Sequence, residues 1–189
     1  MVIIMSNKKG KLVVISAPSG TGKGTVINKL LKLKHDLAFS ISATTRKPRP
    51  GETDGVEYFF ISKERFKEMI ENNEFLEYAE YVGEYYGTPV KPIKEYIDSG
   101  KIVILDIEVQ GAKQVMAKDI EATTIFLVPP DMEELEKRLR GRGTDSDEVV
   151  ASRLKRAKQE LTEKHHYKYT IINDCSDHAA KEIQTLISN

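Results

Sequence analysis

An α/β domain built on a largely parallel sheet is the expectation for this chain, and three observations carry it. Short β-branched runs alternate with amphipathic stretches from end to end. The interior apolar runs are nearly continuous, as strands covered on both faces require. A glycine-rich turn stands between the first such strand and the first such helix. With 189 residues and 21.4 kDa, a single domain would bury roughly 70% of its unfolded surface, enough for a full core. Apolar residues make up 40% and charged residues 31% of the chain, which excludes the composition of disordered segments.

The elements follow in order. Leu12 to Ser16 reads as a buried strand and Gly22 to Leu33 as a helix with Val26, Ile27, Leu30 and Leu31 on one face. Leu37 to Ser42 reads as a second strand. The stretch from Thr44 to Gly55, basic and rich in proline and glycine, reads as a loop. Ser62 is placed to cap a helix that carries Phe66, Met69 and Ile70, and Phe75 to Tyr81 alternates as a short strand does. This middle region suggests a small inserted lobe. Ile102 to Ile107 and Thr123 to Val128 read as central strands, the second stopped by Pro129 and Pro130. Asp131 and Glu134 form a capping-box-like start to a helix through Leu139, which runs into a glycine-flanked arginine loop. A charged helix through Glu160, a strand from Tyr169 to Asn173 and a helix from about Asp177 to Ile187 complete the chain.

Charge and cysteine content narrow the partners. The 29 basic and 29 acidic side chains cancel, so no global field favours nucleic acid or an anionic membrane, and an anionic ligand must be held by local clusters. Cys175, the single cysteine, predicts a reducing compartment, and Met1 to Met5 is too short for a signal peptide or a membrane span. The expected address is the cytoplasm. Monomer and homo-oligomer fit equally well.

The sharpest motif is Ala17-Pro18-Ser19-Gly20-Thr21-Gly22-Lys23-Gly24-Thr25, between a strand and a helix. Its glycines let successive amide hydrogens converge on a phosphate, the helix N-terminus adds its dipole, and Lys23 adds a mobile charge. Ala17 replaces the first glycine of the strict phosphate-loop pattern and Gly24 its serine or threonine, so any metal-facing hydroxyl falls to Thr25. Arg46 and Arg49 could grip a second phosphate with their planar forks of donors. Asp106 and Glu108 end an otherwise apolar strand, where parallel sheets bind ligands. Asp106 could hold a metal through water, and Glu108 could accept from an amine-bearing ligand. Arg138, Arg140, Arg142 and Arg153 gather positive charge about the glycine-flanked loop, as phosphoryl transfer requires. His35, His165, His166 and His178 have no nucleophile or metal partner in sequence. Each cluster taken alone also has a plain structural reading, as a helix-capping turn or a solvated charged face.

Together the segments Ser16 to Lys23, Thr44 to Glu52, Glu77 with Tyr81 to Thr88, Leu105 to Gly111 and Arg140 to Thr144 resemble the guanylate kinase family, in that order and spacing, from about Lys11 to Ile187. The resemblance implies a parallel-sheet P-loop nucleoside triphosphate hydrolase core (11–41 and 90–187), a small inserted GMP-binding lobe (about 42–89) and a mobile lid (about 140–160). It implies transfer of the ATP γ-phosphoryl group to GMP, and dGMP with it, with Mg²⁺. By resemblance, Ser42, Glu77, Thr88 and Glu108 surround guanine, and Arg46, Arg49, Tyr58 and Tyr86 hold the GMP phosphate. Lys23 and the loop amides take the ATP phosphates, Arg138, Arg142 and Arg153 close over them, and Asn173 lies near adenine. Cys175 stands where family members often carry a second acid. Guanine presents N1 and N2 hydrogens to a carboxylate, whereas adenine would oppose it with an acceptor. Two rivals remain at this point: a phosphopeptide-binding module of the same fold, and a kinase for another nucleoside monophosphate.

Overall fold

In the computed structural model, residues 10–33, 36–118, 120–141, 143 and 145–188 are described. The chain opens with β1 (Lys11–Ser16), whose Val13, Val14 and Ile15 are fully buried, then α1 (Lys23–Leu33), which buries Val26, Ile27 and Leu30. The next strand, β2 (Leu37–Phe39), is shorter than the 37–42 run predicted. Ser40 N still donates to Ile104 O at 3.0 Å, after which the chain crosses to a second sheet. That crossing explains why Ala43–Thr44, expected in part as loop, forms a strand, β3. Thr44 donates to Tyr85 O at 2.9 Å and pairs there rather than in the main sheet.

The second sheet continues with β4 (Phe59–Phe60), α2 (Lys63–Glu71), β5 (Phe75–Tyr81) and β6 (Glu84–Pro89). Its strand order is β4-β3-β6-β5. Ser62 caps α2 as expected, accepting from Arg65 N at 3.1 Å. Ala43, Phe66, Met69 and Phe75 form a small separate core, with the Phe66 and Phe75 rings stacked at 4.3 Å. A sheet this small depends on such a helix-backed apolar face.

The chain then returns through α3 (Val90–Asp98), β7 (Ile102–Asp106), α4 (Val109–Met116), β8 (Ala122–Val128), α5 (Met132–Arg140), α6 (Asp147–Leu161), β9 (Tyr169–Ile172) and α7 (Ser176–Ser188). The main sheet has order β2-β7-β1-β8-β9 with every pair parallel. Alternate residues of each strand face opposite sides. Val13, Ile15, Ile104 and Ile125 thus pack under α1 and α7, while Leu12, Val14, Val103 and Leu105 pack under α3 and α4. Both faces are covered, which accounts for the continuous apolar runs. A further cluster, Leu135, Leu139, Val150 and Ala157, joins α5 to α6. The loops after β1 and β7 emerge side by side at the carboxyl edge of the sheet, where such folds bind ligands. No helix among the described residues is long and apolar enough to cross a membrane.

Candidate active site

The glycine-rich turn after β1 has the backbone its sequence requires. Gly20 and Gly22 both sit at φ 90°, a left-handed conformation in which a side chain is strained. Space forbids one as well: a Cβ on Gly20 would lie 2.7 Å from Leu139 Cδ2, and one on Gly22 2.9 Å from Asn173 Nδ2. The turn is held from below, where Thr21 O accepts from Asn173 Nδ2 at 2.7 Å and from Arg138 Nη1 at 3.2 Å. Asn173 is therefore buried beneath the turn, and Arg138, also held by Glu134 at 2.8 Å, reaches it from α5.

Lys23 leads α1 back to the sheet edge, where its Nζ lies 2.6 Å from Asp106 Oδ1 and 2.8 Å from Ile107 O. Above the turn opens a cavity of about 390 Å³ lined by residues 17–20 and 22–25, and by Arg153, Arg156 and Glu160 of α6. Arg153 is paired with Asp145 at 3.2 Å. Thr25 lines this cavity, and beside Gly24 there is open space, with nothing within 4 Å of a Cβ. Arg142 lies outside the described residues.

A second cavity, of about 220 Å³, lies between the two sheets. Ser42, Tyr58 and Tyr86 line it on the side of the small sheet, and Asp106 at the end of β7, Glu108 at the start of α4 and Gly111 on α4 line it on the other. Its polar floor is Glu77, buried on β5, whose Oε1 accepts from the buried Thr88 hydroxyl across the β5–β6 pair. Burial is the largest influence on Glu77 and pushes its carboxyl above the usual range, against the Thr88 hydrogen bond and the charges of Lys118 and Lys23.

Several residues that the sequence reading did not single out set this floor. β5 is the edge of its sheet, and side chains of α4 and of the turn that follows it cover that edge. Gln114 bonds both Tyr78 N (3.1 Å) and Tyr78 O (2.7 Å), while Lys118 Nζ donates to Leu76 O at 2.5 Å and Phe75 O at 3.3 Å. Gly111 on α4 lies against Glu77, and any Cβ there would land on Glu77 Oε2. The segment Leu105 to Gly111 signalled that glycine; nothing in sequence signalled Gln114 or Lys118.

Arg46 stands near the aromatic wall, 5.5 Å from the Tyr58 ring centroid and 5.7 Å from that of Phe60. Both of its terminal nitrogens reach Glu52 at 2.9 Å, and this pairing holds the Glu52 carboxyl below its ordinary range. Arg49 is exposed and lines neither cavity; its backbone N donates to Glu52 Oε2 at 2.7 Å. Glu52 closes the Thr44 to Glu52 motif in sequence, and in the fold its carboxylate ties Arg46 to the backbone of Arg49. Tyr81 and Glu108 line both cavities, so the two sites meet at these side chains.

Among the described residues no group of three or more His, Cys, Asp or Glu could hold a metal ion. Thr25 and Asp106 supply hard oxygen atoms beside the two cavities. That donor set fits a cation carried mainly by phosphates and water, not a protein cage.

A phosphate-binding turn at the edge of a parallel sheet, opening onto a second cavity under a small inserted sheet, defines a P-loop nucleotide-binding protein with room for two ligands. The family model described as guanylate kinase matches residues 9–189. A guanylate kinase of Lactococcus lactis subsp. lactis is 51% identical over 180 residues, covering 95% of this chain and 88% of its own. One from Prochlorococcus marinus subsp. pastoris is 49% identical, covering 98% and 100%. The crystal structure of guanylate kinase from Anaplasma phagocytophilum superposes with a TM-score of 0.76 at 34% identity, covering 96% of this chain and 86% of that one. The chain belongs to the guanylate kinase family, the ATP:GMP phosphotransferases among nucleoside monophosphate kinases.

Proposed function

We propose that the cavity over residues 17–25 takes the ATP phosphates and that the cavity floored by Glu77 takes GMP, with transfer at their junction beside Tyr81 and Glu108. The observation that carries this reading is the shared lining: two cavities of different chemistry, one over the phosphate-binding turn and one floored by a buried carboxylate, have Tyr81 and Glu108 in common. The same reading makes residues 42–89 the acceptor lobe and 140–160 the lid, and extends to dGMP, whose base is identical.

The chemistry follows from the side chains. Amide hydrogens of the turn and Lys23 hold the donor phosphates, and Lys23 leaves Asp106 to do so. Glu77 accepts from guanine N1 and N2, Thr88 keeps that carboxylate oriented, and Ser42 and Glu108 complete the base contacts. Arg46, Arg49, Tyr58 and Tyr86 hold the acceptor phosphate, Arg49 by swinging inward on the loop ordered by Glu52. An acceptor phosphate oxygen, already ionised, attacks the γ-phosphorus in line, so no general base is needed. Arg138, Arg142 and Arg153 stabilise the charge on the moving group and exclude water. Thr25 and Asp106 would hold Mg²⁺, directly or through water, and the ion would supply charge neutralisation for the ATP phosphates. Asn173 supports the turn on the adenine side. The cytoplasm, where ATP and GMP are both available, is the assigned location.

A coupled assay tests the assignment. ADP formation that depends on GMP and falls at least about 100-fold in Lys23→Ala, the loss of one preorganised charge contact, is expected. Phosphopeptide binding without turnover, or near-normal turnover in that variant, would overturn it.

A further inference from the structure

Glu108 is an unusual choice for a side chain that must meet a base edge. It occupies the N-cap of α4 yet makes no capping hydrogen bond with its carboxylate, and its side chain is 68% exposed. A glutamate so placed has several rotamers open to it, and ordering them costs conformational entropy at the moment a ligand binds. One group removes that freedom. Arg156, on α6 and distant in sequence, places Nη2 2.7 Å from Glu108 Oε2. The guanidinium is itself fixed, because its Nε donates to Glu160 Oε1 at 2.7 Å one helical turn further on. The bond to Glu108 engages Oε2, which leaves Oε1 available to a ligand.

From this arrangement we propose that Arg156 is a positioning residue for guanine recognition: anchored by Glu160, it holds Glu108 at the junction of the two cavities, ready to accept from the 2-amino group of the base. The inference rests on the assignment of Glu108 to the guanine site, and goes beyond it by making that contact depend on a side chain of the lid helix. An arginine suits the task better than lysine, since its planar fork can bond Glu160 and Glu108 with different nitrogens at once. The pair is partly exposed, so its contribution to global stability is small. Its consequence is selectivity, because a pre-placed carboxylate rewards the ligand that carries the matching donor.

Inosine monophosphate provides the probe, since it lacks only the 2-amino group of GMP. The ratio of kcat/KM on GMP to that on inosine monophosphate is measured for the parent, Arg156→Met, Arg156→Lys, Glu108→Gln and the double variant Arg156→Met/Glu108→Gln, with the KM for ATP followed alongside. Loss of the Glu108 contact in Glu108→Gln should lower the ratio roughly tenfold or more, the size of one hydrogen bond to a charged group. Arg156→Met should lower it by a similar factor, Arg156→Lys by less, and the double variant no further than Glu108→Gln alone. If Glu108→Gln lowers the ratio but Arg156→Met leaves it at the parental value, the positioning role is wrong while the guanine site stands. An Arg156→Met variant that raises only the KM for ATP makes Arg156 a donor-phosphate contact and overturns the proposal. If Glu108→Gln itself leaves the ratio unchanged, the assignment of Glu108 to the base fails first. Thermal denaturation of each variant, with midpoints close to the parent's, ties a changed ratio to recognition rather than to folding.

Discussion

Glu77 combines two demands that oppose each other. The guanine contact proposed for it needs its carboxylate ionised, but burial favours the protonated form and lifts its pKa above the ordinary carboxylate range. The folded state therefore holds this proton to higher pH than the unfolded chain. Stability from that difference is present at low pH and declines as pH rises through the elevated folded value. Two outcomes follow. The KM for GMP should rise on acidification at a pH above the ordinary carboxylate range, and Glu77→Gln should lose that limb, as a pH series of initial rates would reveal. At neutral pH and without ligand, Glu77→Gln should melt at a higher temperature than the parent, because an unfavourable buried charge is gone. Beside it, Gly111→Ala should push the carboxylate from its place and raise the KM for GMP about tenfold or more, the cost of misplacing one charged contact. Glu77 itself was legible in the sequence through its motif. Its neighbours Gln114 and Lys118 were not, because their partners are backbone atoms of β5, and bonds from a side chain to a distant strand's backbone leave no residue-type signature.

At the scale of elements, Gly24 and Asp131 offer opposite tests. Gly24 lies in the first turn of α1 with open space about it, so Gly24→Ala should stabilise the protein by about 0.5–1 kcal/mol through helix propensity. Asp131 caps α5, accepting from Glu134 N at 2.7 Å, and Asp131→Ala should cost about 1 kcal/mol. Denaturant unfolding measures both. Elements marked by local signals match the expectation: the caps at Ser62 and Asp131 are in place, and β5 spans Phe75–Tyr81 although its pattern alternates only weakly. Elements shaped by tertiary contacts were not. The helices α3 and α4 were not anticipated, α3 carrying Pro92 in its first turn where proline costs no hydrogen bond. The two-residue strands β3 and β4 are too short to hold a period and exist only because they pair with each other and with β6.

Across the whole molecule, the design separates binding from choosing. In the proposed assignment, the turn after β1 and Lys23 of α1 offer amides and a charge to any nucleoside triphosphate, while the small sheet carries the aromatic wall and the buried carboxylate that would make the acceptor site selective. The order of motifs along the chain made this division visible, but the meeting of the two cavities at Tyr81 and Glu108 required the fold. The most direct test compares kcat/KM on GMP and AMP for the parent and Glu77→Gln. A hydrogen-bonding site of this kind can discriminate by about 10⁴, so the parent should prefer GMP by that order and the variant should lose a large part of the preference. Equal rates on the two nucleotides in the parent, or a preference untouched by the substitution, would contradict the assignment of base choice to this buried carboxylate.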